Sequence, residues 1–232
     1  MHMMEDPSAL RHPLGPLPAW ESVLAVVAHP DDESFGLGAV LDSFVQGGAT
    51  VSVLCFTHGE ASTLDTAVGK LGELRASELQ NAAQHLGASS AHLLDYPDGA
   101  LSQVETAKLS VDVRHELGMH PVEGMVVFDP SGVSGHSDHR AATEAALNAA
   151  IHENLPVLGW TLPHAVAEQL NEEFAASFVG HADSEVDLVI AVERERQQLA
   201  SLAHVSQAVP TSVLWRRLQL LGDREYLRWL RQ

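Results

Sequence analysis

The chain has 232 residues, of which 45% are hydrophobic and 19% charged, so it is long enough to fold as one domain around a sizeable core. Its net charge of -18, from 31 acidic and 13 basic residues, argues against nucleic acid or an anionic membrane as a partner, because both require basic patches. No signal peptide or membrane-spanning run is visible, and the single cysteine, Cys55, excludes an intrachain disulfide. These features predict a soluble, cytoplasmic protein.

Short apolar runs alternate with helical patterns after a proline-rich N-terminal arm at residues 1–20. The predicted strands are 22–28, 50–56, 91–94, 124–128 and 156–160, with a weaker one at 186–190. The predicted helices are 35–47, 70–86, 101–117, 139–152, 192–204 and 224–231. Residues 160–184 have no clear period and are expected to hold loops or a small cap. The alternation predicts a single α/β domain over 21–232, with a Rossmann-like, mostly parallel sheet, helices on both faces and a core strand order of 3-2-1-4-5.

Histidine and acidic side chains follow two of the predicted strands, at the point where each strand ends. One group comes after strand 1 and the other after strand 4: His29, Asp31 and Asp32, then His136, Asp138 and His139. In the order 3-2-1-4-5 these two strands are neighbours at the switch point, where ligands bind in open α/β sheets. We therefore expect both groups to face one crevice.

Three of these residues form a plausible metal site. His29, Asp32 and His139 offer two nitrogens and one oxygen, and catalytic zinc typically keeps three protein ligands and one open position. Taken singly, each histidine also fits a solvated loop residue and the aspartate fits a helix N-cap. The conjunction of the two groups favours Zn²⁺ or another divalent ion.

The remaining polar residues of the two groups have candidate catalytic roles. Asp31 is either a general base beside the metal or a helix cap. His136 could hydrogen-bond an oxyanion or protonate a leaving nitrogen, and Asp138 is better placed to orient a histidine than to ligate. Gly36 and Gly38 lack the full dinucleotide fingerprint, so close helix–sheet packing is the expected reason for glycine there.

Several motifs lie in order from residue 23 to about 207. Ala28-His29-Pro30-Asp31-Asp32-Glu33 and Gly135-His136-Ser137-Asp138-His139 together resemble the paired signature of the PIG-L / LmbE-like N-acetylglucosaminyl deacetylases. Supporting matches are Thr57-His58-Gly59-Glu60, Arg75-Ala76-Ser77-Glu78, Tyr96-Pro97-Asp98-Gly99 and His204-Val205-Ser206-Gln207. The chain departs from the family in two places: Ser137 replaces a common proline, and Ser134 stands where mycothiol-pathway members carry a tyrosine.

The resemblance implies a metal-dependent N-deacetylase acting on a small N-acetylated sugar. It implies the following roles: His29, Asp32 and His139 as metal ligands, Asp31 as general base, His136 as the electrophilic or acid histidine, and Arg75 and Asp98 in the substrate pocket. Glu60, at the same predicted edge, is expected to bind sugar hydroxyls with them.

Two alternatives stay open: an amidase cleaving a larger amide, such as a thiol-sugar conjugate, and a non-catalytic sugar-binding relative. Simple binding does not require a base at Asp31, which argues against the second. Assembly into a homo-oligomer is also left open.

Overall fold

The computed structural model describes residues 14–64 and 70–232. Within them the strands are β1 (Ser22–Val27), β2 (Thr50–Thr57), β3 (Ser90–Tyr96), β4 (Gly124–Phe128), β5 (Val157–Pro163), β6 (Gly180–His181), β7 (Leu188–Ala191) and β8 (Arg224–Arg231). The helices are α1 (Gly38–Gln46), α2 (Leu71–Leu86), α3 (Thr106–Met119), α4 (Ser137–Glu153), α5 (His164–Phe174), α6 (Glu195–Ala203) and α7 (Val213–Leu221). A π-helical turn, Asp32–Gly36, connects β1 to α1.

The strands form one sheet in the order β3-β2-β1-β4-β5-β8-β7, with β6 paired to β5. The first five are parallel, and β8 and β7 extend the sheet in antiparallel pairing. The predicted α/β class and the strand order 3-2-1-4-5 are therefore confirmed. Because β1 and β4 are neighbours, the loops that follow them lie together at the switch point, as expected of this topology.

The core occupies both faces of the sheet. Side chains alternate along β1, so Val23, Ala25 and Val27 pack in one apolar cluster while Leu24 and Val26 pack in the other. This burial on two faces explains why the central strands are continuous apolar runs and not alternating ones.

The C-terminal prediction was wrong. Residues 224–231 were predicted to form a helix, but they form β8, which pairs with β5 on one side and β7 on the other. Glu225, Tyr226 and Leu227 are buried there, so tertiary pairing outweighs a pattern that also suits a helix. The sequence also missed α7, and residues 160–184 contain α5 and β6 where loops or a cap were expected. The predicted helix at 101–117 begins as a separate 3-10 turn, Leu101–Gln103, before α3.

Residues 1–13 of the predicted arm lie outside the described residues. The described part packs against the domain: Gly15 N–H donates to Val189 O at 2.9 Å, and the Trp20 ring stacks on Phe44 at 5.6 Å. Across residues 14–64 and 70–232, no helix combines the length and apolar character that crossing a membrane demands.

Candidate active site

The loop after β1 holds the first group of site residues in an unusual backbone conformation. Asp31 has φ of 113°, a left-handed conformation that a non-glycine residue rarely adopts. The π-helical turn that follows buries both Asp32 and Glu33. Such backbone outliers persist where the surrounding structure holds them, often at functional sites.

Three donor side chains converge beside this loop. Asp32 Oδ1 lies 3.1 Å from His139 Nε2, Asp32 Oδ2 lies 3.5 Å from His29 Nδ1, and the two imidazole nitrogens are 3.2 Å apart. His139 Nδ1 donates to the carbonyl oxygen of Gly132 at 3.0 Å, which leaves its Nε2 unprotonated in the neutral ring. The three residues therefore present electron pairs to one point.

The far side of the His29 ring faces two carboxylates. Its Nε2 lies 3.0 Å from Asp98 Oδ1 and 3.6 Å from Asp138 Oδ2. Neither contact has the geometry of a good hydrogen bond. Because an ionised carboxylate can only accept, the neutral His29 ring is expected to carry its proton on Nε2, facing the two carboxylates. This arrangement leaves Nδ1 free as a ligand, and it is the usual way in which a carboxylate orients a metal-binding histidine.

Asp98 and Asp138 are themselves fixed by backbone donors. Asp98 Oδ2 accepts from Ala61 N–H at 2.8 Å, and Asp138 Oδ2 accepts from Gly99 N–H at 2.8 Å. These bonds tie the loops after β2 and β3 to the start of α4. The structure thus places Asp98, expected in the substrate pocket, both on the cavity wall and against His29.

Asp31 is half-buried next to a cation. Arg75 Nη2 lies 3.2 Å from Asp31 Oδ1, and the same guanidinium donates to the carbonyl oxygens of Gly59 and Pro30. Burial raises the pKa of the Asp31 carboxyl to about 6, against the opposing charge of Arg75. Both Nη atoms of Arg75, which was expected to bind substrate, are therefore engaged by the loops after β1 and β2, and its Nε has no partner among the described residues.

His136 caps α4, and its imidazole lies beside the converging histidines. Its Nδ1 accepts from Asp138 N–H at 3.2 Å, so the neutral ring carries its proton on Nε2. Its ring centroid lies 4.8 Å from that of His29 and 4.9 Å from that of His139. Burial and the neighbouring His139 lower the pKa of His136, which favours a neutral hydrogen-bond donor over an imidazolium.

Two of the supporting motifs meet behind the loop after β1. His204 Nε2 lies 2.7 Å from Glu33 Oε1, and both side chains are fully buried. Glu78 accepts from Ser206 twice, from N–H at 2.8 Å and from the hydroxyl at 2.7 Å. Both motifs therefore hold the segment after α6 in place behind the loop that follows β1.

A cavity of about 370 Å³ opens onto these residues. Its polar wall includes the converging donors with Asp31, Arg75, Asp98 and His136. Its apolar wall is formed by Phe35, Phe128, Val133, Phe178, Val213 and Leu214. Glu60 does not line it: its Oε1 accepts from Asp98 N–H at 3.0 Å, and the residue borders a separate surface pocket with His58 and Asp95.

Sequence analysis missed one further charged residue on the cavity wall, Arg217 of α7. Its helix was not predicted, and no motif includes it. The one signal available was the cationic pair Arg216-Arg217 within an apolar segment.

Comparison with known proteins confirms the resemblance. The PIG-L family model, described as GlcNAc-PI de-N-acetylase, matches residues 24–150. This is more than half of the chain, which therefore belongs to the PIG-L family.

Two curated relatives show how far the similarity extends. A probable N-acetylglucosaminyl-phosphatidylinositol de-N-acetylase of Schizosaccharomyces pombe is 31% identical over 135 residues, covering 56% of this chain and 52% of that protein. A 1D-myo-inositol 2-acetamido-2-deoxy-alpha-D-glucopyranoside deacetylase of Streptomyces griseus is 32% identical over 180 residues, covering 66% and 55%. The chain thus spans about half the length of these relatives.

Solved structures share the fold. The N,N'-diacetylchitobiose deacetylase of Pyrococcus horikoshii superposes with a TM-score of 0.69 at 20% identity, covering 95% of this chain and 88% of that one. A deacetylase of teicoplanin biosynthesis gives 0.67 at 22% identity, with 90% and 96% covered. At this identity the likeness establishes the shared architecture.

Proposed function

We propose that this protein is a metal-dependent hydrolase that removes the N-acetyl group from an N-acetylglucosamine-type glycoside or conjugate. The observation that carries the proposal is the convergence of His29 Nδ1, Asp32 and His139 Nε2 within 3.1 to 3.5 Å of one another. Electron pairs at this spacing need positive charge between them, from a proton or from a metal ion. Membership of the PIG-L family favours the metal ion.

The donor set fits Zn²⁺ in the ordinary catalytic pattern of three protein ligands. When bound, such an ion acts as a Lewis acid toward a carbonyl oxygen and acidifies water. Side chains around the cavity are proposed to transfer the proton and to stabilise the oxyanion.

Asp31 is the proposed general base. It accepts a proton from water as the water oxygen bonds to the acetamide carbon, and it passes that proton to the nitrogen as the carbon–nitrogen bond breaks. The products are acetate and a primary amine. Its burial beside Arg75 keeps the carboxyl near the cavity and limits its exposure to bulk water.

His136 is the proposed oxyanion donor. Its Nε2–H is free because Nδ1 is occupied by the backbone of α4, and its ring lies against both ligand histidines. A donor held in place before reaction stabilises charge that develops on the carbonyl oxygen. Ser134, at the position where mycothiol-pathway members carry a tyrosine, lines the same cavity with a shorter hydroxyl.

The apolar wall supports a second candidate, an amidase that cleaves a longer acyl chain. Phe128, Phe178 and Leu214 offer more apolar surface than an acetyl methyl group needs. A screen therefore compares acid release from N-acetyl and N-octanoyl glucosaminides. Preference for the octanoyl compound would favour the amidase.

Two substitutions test the proposed roles directly. Asp31→Asn should keep its metal content while turnover falls about 10²-fold or more, the scale of a general base. Asp32→Asn should instead lose metal, measured by elemental analysis. Asp95→Asn, which changes an exposed carboxylate whose side chain is 96% accessible, is the matched control. Equal loss of metal in the Asp31 and Asp32 variants would contradict the division of roles.

A further inference from the structure

Arg217 is a buried cation without a carboxylate partner. The residue is 4% exposed, and no carboxylate of residues 14–64 and 70–232 forms an ion pair with it. Its neighbour Arg216 is only half-buried and has a carboxylate partner, because its Nε lies 2.7 Å from Glu173 Oε2. Two adjacent arginines on α7 thus differ in burial and in pairing.

The guanidinium of Arg217 is held in place but only partly used. Nη2 donates to the carbonyl oxygen of Phe35 at 2.7 Å, and the group lies over the Trp160 ring at 4.9 Å from its centroid. Nε is buried and has no hydrogen-bond partner among the described residues. A carbonyl and an aromatic face position the cation, and the carboxylates of Glu225, Asp32 and Asp31 act on its charge only from beyond ion-pairing distance.

The carboxylate with the largest electrostatic effect on Arg217 already has other partners. Glu225 is fully buried, and its two oxygens accept from Arg194 at 2.6 Å and from Trp160 Nε1 at 2.7 Å. Burial lowers the pKa of Arg217 to about 10, against the negative charges of Glu225, Asp32 and Asp31. A buried arginine without an ion-pair partner among the described residues is a candidate for a role in binding.

The cavity is where this charge is exposed to a ligand. On α7, Arg217 follows Val213 by four residues and Leu214 by three, so it shares a helix face with both, and all three line the cavity together with Asp31 and Asp32. Arg75, the other arginine of the cavity wall, donates to the carbonyl oxygens of Pro30 and Gly59 and is paired with Asp31, although its Nε, like that of Arg217, has no partner among the described residues. Within the described part of the chain, Arg217 differs from Arg75 in having no carboxylate at ion-pairing distance, which makes it the more available cation for an anionic ligand.

We propose that Arg217 binds an anionic oxygen group of the substrate, a carboxylate or a phosphate, and selects acidic N-acetylglucosamine derivatives over neutral ones. The inference rests on the proposed function, since it names the substrate class of the same cavity. Guanidinium groups suit this task because their planar donors match two oxygens at once. Arg217 is accordingly a specificity-determining residue, distinct from the residues proposed to act on the amide.

The test compares two nearly isosteric substrates. One is the carboxymethyl glycoside of N-acetylglucosamine, and the other is its neutral carbamoylmethyl analogue. We expect the wild-type protein to favour the acid about 10- to 100-fold in kcat/KM, the range of a charge-assisted hydrogen-bonded pair. Arg217→Met should reduce that ratio to about one, and Arg217→Lys should restore part of it. Arg216→Met is the control and should leave the ratio unchanged.

N-acetylglucosamine 1-phosphate is the second arm and separates phosphate from carboxylate as the preferred group. The inference would be overturned if wild type showed a kcat/KM ratio of acidic to neutral substrate near one for both the carboxylate and the phosphate. It would also be overturned if Arg217→Met did not alter that ratio. If no compound is deacetylated, the proposed function fails, and calorimetric binding of the same probes still decides the role of Arg217. Tighter binding of an acidic probe to wild type than to Arg217→Met supports it, and equal or undetectable binding contradicts it. Thermal unfolding of each variant verifies that the comparison is made on folded protein.

Discussion

Removing the His204 imidazole should destabilise the protein strongly, because it leaves a buried carboxylate without its cation. His204 and Glu33 are both fully buried, with Nε2 and Oε1 2.7 Å apart. Breaking such a pair by removing one partner costs about 3–5 kcal/mol. For a domain of this size each kcal/mol shifts Tm by about 2–4 °C, so His204→Ala should unfold roughly 6–20 °C below wild type.

The same pair should affect activity through the loop it supports. Glu33 Oε2 accepts from Asp31 N–H at 2.9 Å, and Asp31 has φ of 113°, a conformation that costs about 1–3 kcal/mol. We expect kcat of the folded His204→Ala protein to fall more than KM rises, since the proposed base loses its position and the cavity is retained.

The assay is thermal unfolding by circular dichroism, followed by acetate release well below the transition. Leu202→Ala changes an exposed residue in the last turn of α6, two residues before His204 and 55% accessible, and should alter Tm by less than about 2 °C. Glu33→Gln/His204→Gln should recover part of the lost stability because it leaves no unpaired charge. A Tm within 2 °C of wild type for His204→Ala would refute the reasoning.

Three further changes probe other parts of the structure. Gly36→Ala should lower the free energy of unfolding by about 1–3 kcal/mol in denaturant titration, because its Cβ would stand 2.4 Å from Phe128 Cε1; an unchanged midpoint would contradict this packing. Arg75→Met should reduce kcat more than it raises KM, because the guanidinium is bound to the loops after β1 and β2. An effect on KM alone in steady-state kinetics would instead indicate that Arg75 binds substrate. Tyr96 should ionise with a pKa of about 12, raised by burial and by its 2.6 Å hydrogen bond to Asp112; ultraviolet titration of wild type against Tyr96→Phe measures it, and a value near 10 would contradict the contact.

The sheet and the family were accessible from sequence because their signals are local. Continuous apolar runs marked the parallel strands, and the two motifs after β1 and β4 identified the edge where ligands bind. Gly36 was also predicted correctly as a packing residue, since a side chain there would overlap Phe128.

The prediction failed where structure depends on contacts between distant parts of the chain. The segment 224–231 suits a helix in isolation, and only its antiparallel partners β5 and β7 make it a strand. The engagement of Arg75 by two backbone carbonyls has no sequence signal, since carbonyl positions depend on the folded loops. Arg217 was also missed, because its burial and the lack of a hydrogen-bond partner for its Nε among the described residues are visible only in the folded structure.

Metal titration tests the central claim most directly. Protein stripped with a chelator would be titrated with Zn²⁺ by calorimetry, with acetate release from an N-acetylglucosamine glycoside followed at each addition. We expect one ion per chain, with activity rising in proportion to occupancy up to that ratio, and no such binding in His139→Ala. Full activity in the stripped protein, or unchanged stoichiometry in His139→Ala, would contradict the assignment of His29, Asp32 and His139 as the metal site.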